Sequence, residues 1–212
     1  MVVKLYGAPL STCTRRVATI LHELQIPFEL IFVDVRSGNN KTEAYKKNQP
    51  FGMIPYIDDN GFILFESRAI GRYLAAMYPR HDLIPNDAKK NALFEQAAAV
   101  EQANFDPSAA KAGWHLYARR LGWGGNQAEI DESLHILEQR LEGYELMLGK
   151  TQYLGGNELT LADLFHLPYA AIIAEDSVVF ERFPNISRWV KSLTNRPSWL
   201  AYENGVVSTA SY

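Results

Sequence analysis

The hydrophobic period of this chain changes once, near residue 80, and that change limits the fold more than any other feature. Before it, strand and helix signals alternate. VVKLY reads as a short apolar strand. STCTRRVATILHELQ follows with Val17, Ile20, Leu21 and Leu24 at i, i+3, i+4 and i+7, one face of a helix. PFELIFVDV reads as a second strand, and KTEAYKKN as a short polar helix or turn. MIPYIDD and FILFE read as two strands joined by a tight Asn60-Gly61 turn, the strongest short hairpin signal in the chain. SRAIGRYLAAMY closes the series as a helix. The expected order is βαβαββα over residues 1–80.

PRHDLIPND breaks every period and carries two prolines, so a linker is expected over residues 81–88. Beyond it the signals are almost wholly helical. NQAEIDESLHILEQRLEGYELML sets Ile130, Leu134, Leu137, Leu141, Tyr144 and Leu148 at alternating spacings of four and three, a long amphipathic helix. LTLADLFHLPYAAIIA is more thoroughly apolar and is expected to be central. Thr160 and Asp163 at its start form a capping-box-like pair, which gives Asp163 a structural rather than a catalytic part. NISRWVKSLTNRPSWLAY adds a last helix stopped before Pro197. Residues 89–212 therefore read as an all-helical bundle domain, and the chain as α/β followed by all-α.

Composition narrows the function classes. The 212 residues suffice for one or two domains with a sizeable core, at 47% apolar and 21% charged. A net charge of −3 favours neither nucleic acid nor an anionic membrane as partner. No window approaches a membrane span, and the N-terminus lacks a signal-like apolar run. The single cysteine, Cys13, excludes an internal disulfide framework and a cysteine-based metal cluster. A reducing, cytoplasmic compartment and no metal are expected.

The chemistry concentrates at STCTRRV. Ser11 sits where a strand has ended and a helix begins, and a helix start presents unpaired N–H groups and partial positive charge. An anion such as a thiolate is stabilised there. Two thiols compete for the role: Cys13, and a bound small thiol reached by the Ser11 hydroxyl. Cys13 lies two residues past the mouth of the turn and has no second cysteine to resolve a disulfide, so a small half-buried hydrophobe is its simpler reading. Ser11 taken alone reads as a plain N-cap. Arg15 and Arg16 read as solvated or ion-paired side chains.

Three other stretches shift the balance towards a bound peptide. A cis bond between Ile54 and Pro55 would turn the Ile54 backbone outward, free to pair with an extended peptide. Glu66 and Ser67 stand at a second helix start, Ser67 as candidate N-cap, where a carboxylate could be held. Lys41, beside Asn40, adds a cation in a polar loop. Together they suit a small extended peptide with a carboxylate at each end and a thiol between, its ammonium group facing Glu66.

STCTRRV, PFGMIPYIDD, LFESRAI, FDPSAAK and LTLADLFHLPY, in this order and spacing, resemble the cytosolic glutathione S-transferases, and within them the phi class. The resemblance covers essentially the whole chain. It implies a thioredoxin-like N-terminal domain, a helical C-terminal domain and glutathione as co-substrate. By the resemblance, Ser11 donates to the glutathione sulfur and favours its thiolate, while Asn40 and Lys41 match the positions that hold the glycyl carboxylate. Ile54 and Pro55 match the cis-proline turn that pairs with the cysteinyl backbone. Glu66 and Ser67, with Arg68 beside them, match the segment that grips the γ-glutamyl end. Two positions depart from the family pattern: Asn40 replaces the usual His of His-Lys, and Met53 replaces a Gln that would contact the tripeptide.

The resemblance further implies attack of the thiolate on a hydrophobic electrophile, or reduction of a peroxide. Leu10, with Trp114, Tyr117 and Leu121 at spacings of three and four, would line the second substrate's cleft between the domains, although each of these aromatics reads equally well as core. His115 has no partner spacing and no role. Phe51 is expected in an exposed apolar patch that locks a homodimer. Two other classes remain: a non-catalytic carrier of hydrophobic molecules, and a glutaredoxin-like thiol transferase working through Cys13.

Overall fold

The computed structural model describes residues 2–78 and 82–212. Pro79, Arg80 and His81, around the start of the expected linker, lie outside the described residues. The chain divides into two compact units, one running to Asp82 and taking in Pro197–Tyr212, the other Leu83–Arg196.

In the first unit, β1 (Val3–Gly7), α1 (Thr12–Glu23), β2 (Phe28–Phe32), α2 (Glu43–Lys46), β3 (Tyr56–Asp59), β4 (Phe62–Phe65) and α3 (Ser67–Met77) follow the expected βαβαββα order. The strands lie in the order β2-β1-β3-β4. β1 runs parallel to β2, with Leu5 opposite Leu30, and antiparallel to β3, with Tyr6 opposite Tyr56. That last pair stacks at 4.3 Å, a cross-strand aromatic contact that fixes register. Asn60 and Gly61 both take positive φ, 56° and 93°, as a tight hairpin of this kind requires. The core side of α1 is the expected Val17, Ile20, Leu21 and Leu24, each fully buried.

The second unit is helical: α4 (Ala88–Val100), α5 (Asp106–Arg120), α6 (Gln127–Leu148), α7 (Leu161–Asp176) and α8 (Pro184–Thr194). One π-helical turn, Glu101–Phe105, separates α4 from α5. On α6 the buried stripe is Ile130, Ser133, Leu137, Leu141, Tyr144 and Leu148. Ser133 thus takes the inward place expected of Leu134, which is half-buried. α7 is the central helix, buried along nearly its whole length. Asp163 at its start is wholly buried. Its Oδ2 accepts from the Thr160 N–H and hydroxyl, both at 3.0 Å. Its Oδ1 accepts from the Leu154 N–H at 3.0 Å and from Trp189 Nε1 at 2.9 Å. The expected capping box is present, and the Thr160 hydroxyl also donates to the carboxylate. His166, also wholly buried, faces the Ala162 carbonyl through Nδ1 at 2.6 Å, which makes Nε2 the acceptor for the Tyr144 hydroxyl at 3.0 Å.

The chain end departs from expectation. Residues 197–212 were expected in the helical domain, but after a short α9 (Pro197–Leu200) they belong to the first unit. Thr209 exchanges two backbone hydrogen bonds with Phe28, each 2.9 Å, and covers the free edge of β2. A local hydrophobic period carries no record of a pairing across so many residues.

Candidate active site

Gly7 ends β1 under α1, and a Cβ there would fall 2.5 Å from Thr14 Oγ1, so only glycine lets the strand end approach the first helical turn. Ser11 is the N-cap of α1: its backbone is extended and its Oγ accepts from the Thr14 N–H at 3.3 Å. The plain cap is therefore real. It uses the hydroxyl as acceptor and leaves its proton to be donated elsewhere. Ser11 is half-buried, and among the described residues the Cys13 backbone N–H has no acceptor. A donor hydroxyl, an orphan amide and the positive end of a helix thus share one spot.

Of the two arginines that follow, read from sequence as solvated or ion-paired, Arg16 is buried and Arg15 half-buried. Arg16 is 1% exposed, and its Nη1 donates to Ser67 Oγ at 2.9 Å, tying α1 to the start of α3. Arg15 lays its guanidinium on the Trp199 ring, 3.3 Å from the centroid, and donates from Nη2 to the Trp199 carbonyl at 3.0 Å. Spacing could have found Arg16, because it stands four residues before the buried Ile20.

Ser67 is the first residue of α3 rather than its N-cap; Glu66 takes the cap position at φ 70°, ψ 109°. A non-glycine residue at positive φ is strained by about 1–3 kcal/mol, and such strain gathers at functional sites. The Glu66 side chain is exposed, and the backbone N–H groups of Ser67 and Ala69 have no acceptor among the described residues. That helix start is open to an anion. Arg68, beside it, is half-buried.

Between these helices lies the turn at Met53-Ile54-Pro55, with a cis Ile54–Pro55 bond. The Met53 backbone is satisfied from both sides: its N–H donates to Gln49 Oε1 at 3.0 Å, and its C=O accepts from the Tyr45 hydroxyl at 2.7 Å. The neighbouring Ile54 N–H and C=O make no hydrogen bond among the described residues. Burial, and then the nearby Tyr56, push the Tyr45 hydroxyl above the ordinary tyrosine range, so it stays protonated and able to donate. Sequence alone does not single out Gln49 and Tyr45, since nothing local marks a side chain that bonds a backbone four or eight residues on. The Met53 side chain is 58% exposed.

Asn40 departs further from its expected role. It is buried, and its Nδ2 donates to the Gly52 carbonyl at 2.7 Å, so the amide is spent on holding the loop. Lys41 Nζ donates to the same carbonyl at 2.7 Å from an exposed position. Gly52 stands at φ +61°, and an added Cβ would lie 2.7 Å from the Asn40 carbonyl and 2.9 Å from Lys41 Cδ. Gly52→Ala is expected to cost at least about 1–3 kcal/mol, read as a lower Tm in thermal unfolding. An unchanged Tm would show that the loop does not depend on this close approach.

Leu10 is 43% exposed in the first unit. On α5 of the second, Trp114 is 56% exposed, against the reading of it as core, while Tyr117 and Leu121 are half-buried. Phe51 is 68% exposed, with its ring against Phe65. Among the described residues, no group of three or more His, Cys, Asp or Glu side chains could hold a metal ion. No described helix is long and apolar enough to cross a membrane.

This geometry has close counterparts. Residues 1–76 match the glutathione S-transferase N-terminal domain and residues 105–197 its C-terminal domain. A glutathione S-transferase of Arabidopsis thaliana is 41% identical over 194 residues, 88% of this chain and 89% of the relative. The crystal structure of glutathione transferase F7 from Populus trichocarpa superposes with a TM-score of 0.90 at 35% identity, covering 96% of this chain and 98% of that one. A glutathione S-transferase I bound with lactoylglutathione superposes at 0.88 with 29% identity, over 96% and 99% of the two chains. The chain belongs to the glutathione S-transferase family, within its phi class. Its activity is glutathione transfer, with glutathione as the co-substrate.

Proposed function

We propose that Ser11 is the catalytic hydroxyl, donating a hydrogen bond to the glutathione sulfur and so favouring its ionised form. The observation that carries this reading is the half-buried Ser11 hydroxyl, which accepts from Thr14 and keeps its own proton beside the open Cys13 amide. Ser11 need not act as a base: its hydrogen bond and the helix-start amides lower the thiol pKa, each unit being worth about 1.4 kcal/mol.

The remaining residues fix the tripeptide. The open N–H and C=O of Ile54, presented by the turn at Pro55, pair with its cysteinyl backbone. The Ser67 amide and hydroxyl, with Arg68 beside them, hold the γ-glutamyl carboxylate, and Glu66 faces its ammonium group. Lys41 supplies the cation for the glycyl carboxylate. Asn40 serves that end by fixing the Gly52 loop, a reduced form of the direct contact expected of it. Met53 contributes backbone order in place of a polar side chain.

The glutathione thiolate then attacks an electrophilic carbon: the C–S bond forms, the leaving group departs with its bonding pair, and the thiol proton goes to solvent. Reduction of a peroxide by the same thiolate is the accompanying activity we propose. Leu10, Trp114, Tyr117 and Leu121 are the side chains we assign to the hydrophobic electrophile. The exposed Phe51 supports a homodimer contact, and the single free cysteine is in keeping with a cytoplasmic setting.

Cys13→Ala separates this reading from a thiol transferase. Conjugation of an aryl halide should stay within about twofold of wild type, since the Sγ is not the nucleophile. Loss of that activity, or a glutathione complex with the sulfur on Cys13 rather than at Ser11 Oγ, would overturn it. A carrier without turnover would show no conjugation in the wild-type protein.

A further inference from the structure

Once the chain has crossed the helical unit, Pro197–Tyr212 returns to the first unit and grips the turn that carries Ser11. The Val206 N–H donates to the Pro9 carbonyl at 3.0 Å, two residues before Ser11. Gly205, at φ +113°, packs beside the same turn: an added Cβ would be in van der Waals contact, 3.4 Å from Pro9 Cβ and 3.6 Å from Leu10 Cδ2. On the other side of Ser11, Arg15 is held twice. Its backbone N–H donates to the Ser11 carbonyl at 2.9 Å, while its guanidinium stacks on Trp199 and donates to that residue's carbonyl.

The segment is itself well anchored, so it can transmit position. Trp199 and Val206 are buried. The Ser198 hydroxyl donates to Glu23, the Leu30 N–H to Ser208 Oγ at 2.9 Å, and Tyr212 packs edge-on against His22 at 4.9 Å. None of these contacts uses the groups assigned above to the glycyl, cysteinyl or γ-glutamyl parts of glutathione.

We propose that the C-terminal segment is a positioning element for catalysis, with Trp199, through Arg15, as its principal positioning residue. It keeps the Ser11 hydroxyl and the first-turn amides of α1 aimed at one point. The proposal rests on the reading of Ser11 above. Stabilisation of a developing or resident anion by fixed donors depends steeply on their placement, at the scale of about 0.5 Å. Loosening the turn therefore weakens thiolate stabilisation while leaving the tripeptide's other contacts in place. The effect falls on kcat and on the ionisation of the bound thiol, and KM for glutathione barely moves.

The test compares wild type, Trp199→Leu, Trp199→Phe and Arg15→Lys by steady-state conjugation and by ultraviolet titration of the bound thiolate. Trp199→Leu and Arg15→Lys should raise the thiol pKa by about one unit and lower kcat at neutral pH roughly three- to eightfold, as the ionised fraction falls. KM for glutathione should change by less than about twofold, the mark of an interaction that acts on the transition state rather than on binding. Trp199→Phe, which keeps an aromatic face for the guanidinium, should recover most of both. If Trp199→Leu does not fold, Arg15→Lys alone decides. A lowered Tm with wild-type kcat and thiol pKa would leave the segment a structural brace and overturn the proposal, as would a rise in KM without loss of kcat. A wild-type thiol that ionises as it does in free solution would instead sink the reading of Ser11, which the variants do not address.

Discussion

Ser11→Ala is expected to lower the conjugation kcat by on the order of 10- to 100-fold, because a hydrogen bond to a charged group contributes about 1.5–3 kcal/mol. The loss is not total, since the helix start and the open Cys13 amide remain. The same change also removes the cap on Thr14, at a cost of about 1 kcal/mol in stability, so alanine alone confounds the two roles. Ser11→Asp separates them. Aspartate caps a helix as well as serine does, and Tm should hold within a few degrees. Its carboxylate would sit where the sulfur must be negative, and like charges in one site disfavour ionisation. Activity should fall at least as far as in Ser11→Ala, with the bound thiol pKa raised. Ser11→Asp with full activity would reduce Ser11 to a cap.

The second large effect is on folding. Asp163→Ala removes the acceptor shared by the Leu154 amide, the Thr160 amide and hydroxyl, and the Trp189 indole, all at a wholly buried position. Each orphaned buried donor costs about 1–3 kcal/mol, so the sum rivals the 5–15 kcal/mol by which a typical protein is stable. The variant should lose at least about 10 °C in Tm or fail to accumulate as soluble protein. A Tm within about 2 °C of wild type would mean that water or a rearranged loop satisfies those donors. Because Asp163 belongs to the helical unit and not to the site built on α1, any folded Asp163→Ala protein should keep the wild-type thiol pKa.

Features written in local sequence came through. Asn60-Gly61 is a hairpin with both residues at positive φ, the α1 apolar stripe faces the core, and Ser11 caps its helix. Each follows from a spacing of a few residues. What local sequence does not carry is long-range. The polar character of Arg16 hid a buried bond to Ser67, fifty-one positions away. Asn40 looks like a surface donor until Gly52 turns its carbonyl inward. The sequence stops the helix of NISRWVKSLT before Pro197 and assigns the residues beyond it to the helical domain, yet Val206 and Thr209 pair with Pro9 and Phe28 of the first unit. Ser133 and Leu134 exchanged places because either one continues a stripe of threes and fours, and packing against neighbouring helices selects between them.

The central claim is that the mouth of α1 keeps a guest sulfur negatively charged, and the most direct measurement is the ultraviolet absorbance of the thiolate as the wild-type complex with glutathione is titrated with base. An unperturbed cysteine thiol ionises near 8.5, and the account predicts a midpoint at least about one unit lower in the complex. A midpoint equal to that of glutathione in buffer would contradict it.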